Sequence, residues 1–195
     1  MKQRQVRIIG GQWKRTPLPV LDAEGLRPTP DRVRETVFNW LEHLLDHAWG
    51  QVRCLDLFAG SGALGLEAAS RGAAHVMLVE SQPAAARLLQ TTCDKLKAAQ
   101  VEVRRGDALA TAEMLDRSGQ RYQLIFLDPP YHQEWLQRML PVCKRLLAPG
   151  GLLYVEAETA LDAEPQALWL QDWRIVRTDR AGLVFYHLFL HRPAA

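Results

Sequence analysis

Leu124-Ile125-Phe126-Leu127-Asp128-Pro129-Pro130-Tyr131 reads as a buried strand that stops abruptly in a rigid loop. Four consecutive apolar residues suit a central parallel strand covered on both faces. The two prolines end it, because neither can donate a ladder hydrogen bond and each holds its own φ. The strand's carboxyl end is left with an acid, a stiff backbone with free carbonyls and an aromatic ring. In open α/β sheets ligands bind at that end. Alone, the run fits a proline-terminated turn equally well, so its meaning depends on what surrounds it.

Upstream and downstream the chain repeats strand, turn and helix. Strands are expected at 52–57, 75–80, 101–105, 122–128 and 152–157, with helices at 63–71, 83–98, 108–116, 133–147 and 160–170. Five βα units imply a mostly parallel sheet with helices on both faces. Residues 173–178 and 183–191 read as two more strands, joined too tightly for a crossover and therefore antiparallel. The expected fold is Rossmann-like α/β: a mostly parallel seven-stranded sheet with an antiparallel C-terminal hairpin. A boundary is expected near residue 50, with an N-terminal extension over 1–50 and the main domain over 51–195.

The extension carries the charge. Val6 to Arg15 looks like two short strands about a Gly10-Gly11 turn, and Lys2, Arg4, Arg7, Lys14 and Arg15 precede the first acid, Asp22. Trp13 lies among them, placed either to stack or to pack. Thr29-Pro30-Asp31 is a helix start, with Thr as N-cap and Pro at the first position. Helical spacing over 31–47 gives a buried stripe of Val33, Val37, Trp40, Leu41, Leu44 and Leu45. Arg27, Arg32 and Arg34 add positive charge near its beginning. With a net charge of only +2 over 195 residues, this local cluster is where a nucleic acid would bind.

Cys54, Cys93 and Cys143 are odd in number and widely spaced, which argues for a reducing compartment over a disulfide framework or a zinc site. The histidines show no metal spacing; His132, beside the loop, reads as an exposed loop residue. No segment approaches the roughly 20 apolar residues of a membrane span, and the N-terminus lacks an apolar signal core. A cytoplasmic monomer is expected.

Asp56-Leu57-Phe58-Ala59-Gly60-Ser61-Gly62-Ala63-Leu64-Gly65 joins the first strand of the repeat to its helix. Gly60, Gly62 and Gly65 satisfy G-x-G-x-x-G, which alone serves tight packing as well as cofactor binding. Glu80, followed by Ser81, ends the next strand, where a carboxylate can accept both ribose hydroxyls. NAD and S-adenosylmethionine share that ribose, so Glu80 does not choose between them. Asp56 does: it suits the cationic amino-acid part of a sulfonium cofactor and would repel a pyrophosphate. Asp107, before Ala108, can accept from an adenine amino group. The acids follow successive strands and converge on one sheet edge, so S-adenosylmethionine is the expected cofactor.

A methyl donor gives Asp128 to Tyr131 a chemistry. An exocyclic amine on a base is a poor nucleophile, because its lone pair is delocalised into the ring. The Asp128 side chain and the Pro129 carbonyl could accept its two N–H bonds, orienting it toward the methyl and stabilising the charge that develops on nitrogen. Pro130 would keep the loop rigid and Tyr131 would stack on a flipped or unpaired base.

Asp128-Pro-Pro-Tyr131 with Asp56 to Gly62 resembles the amino-group methyltransferases of nucleic acids. More narrowly, Arg7-Ile-Ile-Gly-Gly11, Arg27 to Trp40 and Leu55 to Gly62 resemble the bacterial 16S rRNA guanine-N2 methyltransferase D family. That resemblance implies methylation of guanine 966, in the usual rRNA numbering, within an assembled or partly assembled small ribosomal subunit. It implies catalytic roles for Asp128, Pro129, Pro130 and Tyr131. It also implies a cofactor site of Asp56, Phe58, Ala59, Gly60, Ser61, Gly62, Glu80, Ser81, Asp107 and Ala108. RNA contacts would come from Arg7, Lys14, Arg15, Arg27, Arg32 and Arg34. Competing readings are a DNA adenine-N6 methyltransferase, which lacks a duplex-reading insert here, and a protein glutamine methyltransferase, which usually has Asn in place of Asp128. An NAD-dependent oxidoreductase would need a hydride-transfer acid or base that does not stand out.

Overall fold

The computed structural model describes residues 6–21, 30–131, 134–163 and 167–192. Arg27, Thr29 and His132 lie outside them. Two short strands, β1 (Val6–Arg7) and β2 (Pro17–Leu18), pair antiparallel and lead to α1 (Asp31–Leu44). Then follow β3 (Arg53–Asp56), α2 (Ala63–Ser70), β4 (His75–Glu80), α3 (Pro83–Leu96), β5 (Val101–Arg105) and α4 (Ala108–Arg117). The chain ends with β6 (Tyr122–Leu127), α5 (Trp135–Leu146), β7 (Leu147–Ala157), β8 (Trp173–Ala181) and β9 (Val184–His191).

The main sheet has seven strands in the order β5-β4-β3-β6-β7-β9-β8. Parallel pairing runs from β5 to β7, and β9 is antiparallel to both β7 and β8. The expected α/β architecture with its C-terminal hairpin is what the chain forms. The order turns about β3 and β6, which are neighbours although a long stretch of chain separates them. Such a switch point opens a crevice at the carboxyl ends of the strands.

Both faces of the sheet are covered. On one, Cys54, Leu78, Leu124, Phe126 and Tyr154 pack with α1, α2, α3 and the N-terminal segment. On the other, Leu55, Val79, Ile125, Leu127 and Leu153 pack with α4 and α5. The central strands β3, β4, β6 and β7 alternate between the two cores, as a pleat buried on both sides requires. Within α1 the fully buried stripe is Val33, Val37, Phe38 and Leu41, while Trp40, Leu44 and Leu45 are partly buried against it.

Two expectations fail. The helix expected over 160–170 is replaced, in its described part, by short 3-10 turns at Leu161–Ala163 and Leu168–Leu170. Ala and Leu are good helix formers, but Pro165 in this stretch cannot serve a helix interior, and that outweighs their propensity. The segment after Gly10-Gly11 is a turn rather than a strand: Lys14 N–H donates to the Gly11 carbonyl and Thr16 N–H to that of Trp13.

The N-terminal segment is held by buried polar groups of α2. Glu67, fully buried, accepts the N–H groups of Ile9 (2.6 Å) and Gly10 (2.8 Å) and the Arg71 Nε (2.8 Å). Ser70 Oγ donates to the Gly10 carbonyl (2.6 Å) and accepts the Trp13 N–H (2.9 Å). Gly11 is required here: its φ is +72°, and a Cβ would stand 1.9 Å from the Ser70 carbonyl oxygen. Trp13 is buried in the shared core, so of its two expected roles it packs.

Candidate active site

Register sets the level of each acid. Asp56 lies opposite Leu78 on β4 and Phe126 on β6. Glu80 and Asp128 stand two residues further along those strands, and a period of two returns side chains to the same face. β3 therefore ends a step short of its neighbours and leaves a notch at the switch point. The Phe58-Ala59-Gly60-Ser61 turn fills it: Leu57 N–H donates to the Phe126 carbonyl and Ala59 N–H to the Val79 carbonyl.

The glycines of the turn have different physical roles. Gly60 (φ +53°) and Gly62 (φ +79°) occupy the left-handed region, which L side chains rarely adopt. A Cβ on Gly60 would meet nothing within 4 Å, so this backbone borders open space rather than protein. A Cβ on Gly65 would lie 2.2 Å from Leu78 Cδ2, so that glycine lets α2 approach the sheet.

Asp56 is 1% exposed. Its Oδ2 accepts the Gly65 N–H at 3.0 Å, while Oδ1 is buried without a hydrogen-bond partner. Burial, with the Glu80 carboxylate adding to it, raises its pKa from 3.8 to about 7 despite backbone donors that oppose the shift. A buried carboxylate oxygen lacking a donor fits a cationic ligand group. Glu80 is tied down on both oxygens: Oε2 accepts the Gly60 N–H (2.9 Å) and Oε1 the Gln82 N–H (2.7 Å). Each oxygen keeps a second lone pair for a hydroxyl. Asp107 caps α4 through Oδ1, which accepts the Ala110 N–H at 2.8 Å, and is itself exposed. Ser61 is half-buried and Ser81 exposed, whereas Ala59 and Ala108 are buried. These acceptors suit the groups of S-adenosylmethionine: Asp56 the amino-acid end, Glu80 the ribose, Asp107 the adenine edge.

Beyond β6, Asp128 is half-buried, Pro129 buried, Pro130 exposed and Tyr131 half-buried. Pro129, Pro130 and Tyr131 border a cleft of about 440 Å³ together with Trp135, Glu156 and Trp169. Phe58, from the glycine turn, meets Trp135 edge-on with 5.2 Å between ring centroids. An aromatic contact therefore joins the glycine turn to the start of α5, whose Trp135 borders the same cleft as Pro129, Pro130 and Tyr131. Sequence reasoning missed Trp135 and Glu156; the only signal for the latter was a charged residue closing an apolar strand.

The basic residues divide. Lys14, Arg15 and Arg32 are exposed, and Arg7 is mostly exposed while paired with Asp31 (Nε to Oδ2, 3.0 Å). Arg34 is a correction. Its side chain is fully buried, donating to the Arg7 carbonyl (2.8 Å) and to Asp31 Oδ1 (2.7 Å), so it cannot reach a phosphate. Burial lowers its pKa and Asp31 opposes the shift. It braces α1 against β1.

Comparison with known proteins agrees with this geometry. The family described as Conserved hypothetical protein 95 matches residues 6–190. Ribosomal RNA small subunit methyltransferase D of Escherichia coli strain K12 is 41% identical over 189 residues, covering 95% of this chain and 89% of its own. The protein of the same name from Haemophilus influenzae is 37% identical, covering 95% and 93%. Among solved structures, a putative methyltransferase yhhF from Escherichia coli superposes with a TM-score of 0.80 at 36% identity, over 97% and 99% of the chains. With identity of this level over nearly the whole length, the chain belongs to the ribosomal RNA small subunit methyltransferase D family.

Proposed function

We propose that this S-adenosylmethionine-dependent rRNA methyltransferase modifies the exocyclic N2 amine of one guanine, guanine 966, in 16S rRNA of the small ribosomal subunit or its assembly intermediate. It acts as a cytoplasmic monomer. The observation that supports the reading is that Asp128-Pro129-Pro130-Tyr131 directly follows β6, the strand neighbouring that of Asp56 at the switch point.

When bound, S-adenosylmethionine supplies an electrophilic methyl group on sulfur. Asp56, Glu80 and Asp107 hold it, and Phe58 to Gly62 shape the backbone around it. Asp128 and the Pro129 carbonyl accept the two N–H bonds of the target amine and direct its lone pair away from themselves. Their partial and full negative charges stabilise the positive charge on nitrogen as its new bond to carbon forms. The proton then leaves the alkylated nitrogen, which has become acidic, and no strong general base is needed. Tyr131 stacks on the base, which must be unpaired to enter the cleft. Lys14, Arg15, Arg32 and Arg7 meet phosphates; the 1–50 extension serves as the RNA-contacting part.

The test is methyl transfer from labelled S-adenosylmethionine to small subunits, free 16S rRNA and duplex DNA in parallel, with the product nucleoside identified by mass spectrometry. N2-methylguanosine from the ribosomal substrates is expected. With Asp128→Ala, cofactor binding persists while transfer falls by roughly 10²- to 10³-fold. N6-methyladenine from DNA, or an active Asp128→Ala enzyme, overturns the reading.

A further inference from the structure

Glu156 lies on β7 one residue beyond the last register pair, Leu127–Val155, and Asp128 lies one residue beyond that pair, just past the end of β6, so the two stand at the same level of neighbouring chains. Parallel neighbours at one level present their side chains to the same face, with strands about 4.8 Å apart. Glu156 is 4% exposed and borders the cleft next to Pro129 and Tyr131. Its Oε1 accepts the hydroxyl of Tyr154, fully buried two residues earlier, at 2.8 Å. Burial first, and then the Glu156 and Asp128 carboxylates, push that hydroxyl well above its ordinary range, so Tyr154 stays a neutral donor. The three groups share one low-dielectric corner, and the carboxylate is oriented by a rigid donor.

Resting on the guanine-N2 reading above, we propose that Glu156 is the specificity residue for the base, accepting the N1–H of guanine while Asp128 and the Pro129 carbonyl accept the N2 amine. The chemistry is local. On guanine's Watson–Crick edge N1–H sits next to the N2 amine, so an acceptor beside Asp128 meets a donor. Adenine and cytosine present a ring-nitrogen lone pair next to their amine, and a carboxylate there repels it. A carboxylate has about four lone-pair sites, so accepting from Tyr154 does not preclude accepting a base N–H. A site built to receive a base N–H rejects analogues lacking it, because its buried acceptor is then left unpaired. Glu156 is thus what separates this cleft from an adenine-N6 site that shares the same loop.

The experiment uses small subunits reconstituted with 16S rRNA carrying either guanine or 2-aminopurine at the modified position. 2-Aminopurine keeps the N2 amine but replaces N1–H by a lone pair. The wild-type enzyme is expected to prefer guanine by roughly 100-fold or more in kcat/KM. Glu156→Gln can turn an amide N–H toward N1 of 2-aminopurine, so the preference shrinks or reverses by about 10- to 100-fold. Glu156→Ala loses discrimination without gaining the new donor. A purely structural role would lower both substrates together and leave their ratio unchanged, which overturns the proposal. So does a wild-type enzyme that methylates 2-aminopurine as well as guanine, a result that needs no variant to fold. Wild-type enzyme that modifies neither base refutes instead the substrate reading on which the proposal rests.

Discussion

Replacing Asp56 by Asn is predicted to stabilise the free protein at neutral and alkaline pH while weakening its hold on the cofactor. Asp56 is buried, its Oδ1 has no donor, and its pKa rises from 3.8 to about 7 on folding. Between those values the native state keeps a proton that the unfolded chain has released, so stability falls as pH rises through that window. At 1.36 kcal/mol per unit, the full cost of the ionised carboxylate above pH 7 is about 4 kcal/mol. Asn retains a carbonyl oxygen for the Gly65 N–H and carries no charge, so it escapes most of that cost. Urea unfolding of both proteins at half-unit steps from pH 5 to pH 8.5 measures it. The wild type should lose roughly 2–3 kcal/mol relative to Asp56→Asn across that range. Calorimetry in buffers of different ionisation enthalpy should show proton release when S-adenosylmethionine binds near pH 6.5. Parallel stability curves for the two proteins would refute the argument, for then Asp56 is ionised in the native state already.

Glu67→Ala should cost about 3–5 kcal/mol, because it strands the Ile9 and Gly10 N–H groups and leaves the Arg71 guanidinium short of an acid. Denaturant unfolding measures the loss, and limited proteolysis should cut first before residue 20. Lys14→Ala and Arg15→Ala should each weaken binding to 16S rRNA and shallow its salt dependence by about one counterion, with the melting temperature unchanged. Arg34→Ala should do the reverse: thermal stability drops by about 2–4 kcal/mol while the salt slope is preserved. A loss of salt slope with Arg34→Ala would return that residue to the RNA surface.

Much was legible in the chain because it is local. Apolar runs bounded by glycine and proline marked the strands, since a doubly covered sheet demands them and the turns demand those breakers. The glycine turn and the Asp-Pro-Pro-Tyr loop could be placed at strand ends for the same reason, and with them Asp56, Glu80, Asp107 and Asp128. What the one-dimensional pattern could not carry was the partner of each polar group. Arg34 lies on the buried face of α1 beside Val33, Val37 and Phe38, and only the crossing of α1 over β1 shows that its guanidinium donates to Asp31 and the Arg7 carbonyl. Glu67 is the one charged residue of the apolar helix α2, and the sequence does not show that the N-terminal segment folds back to donate to it. The nearness of the Tyr154–Glu156 pair to Asp128 required β7 to lie next to β6 in register. Periodicity reports which way a side chain faces; whether a buried charge is satisfied depends on groups far off in sequence, and tertiary packing alone decides that.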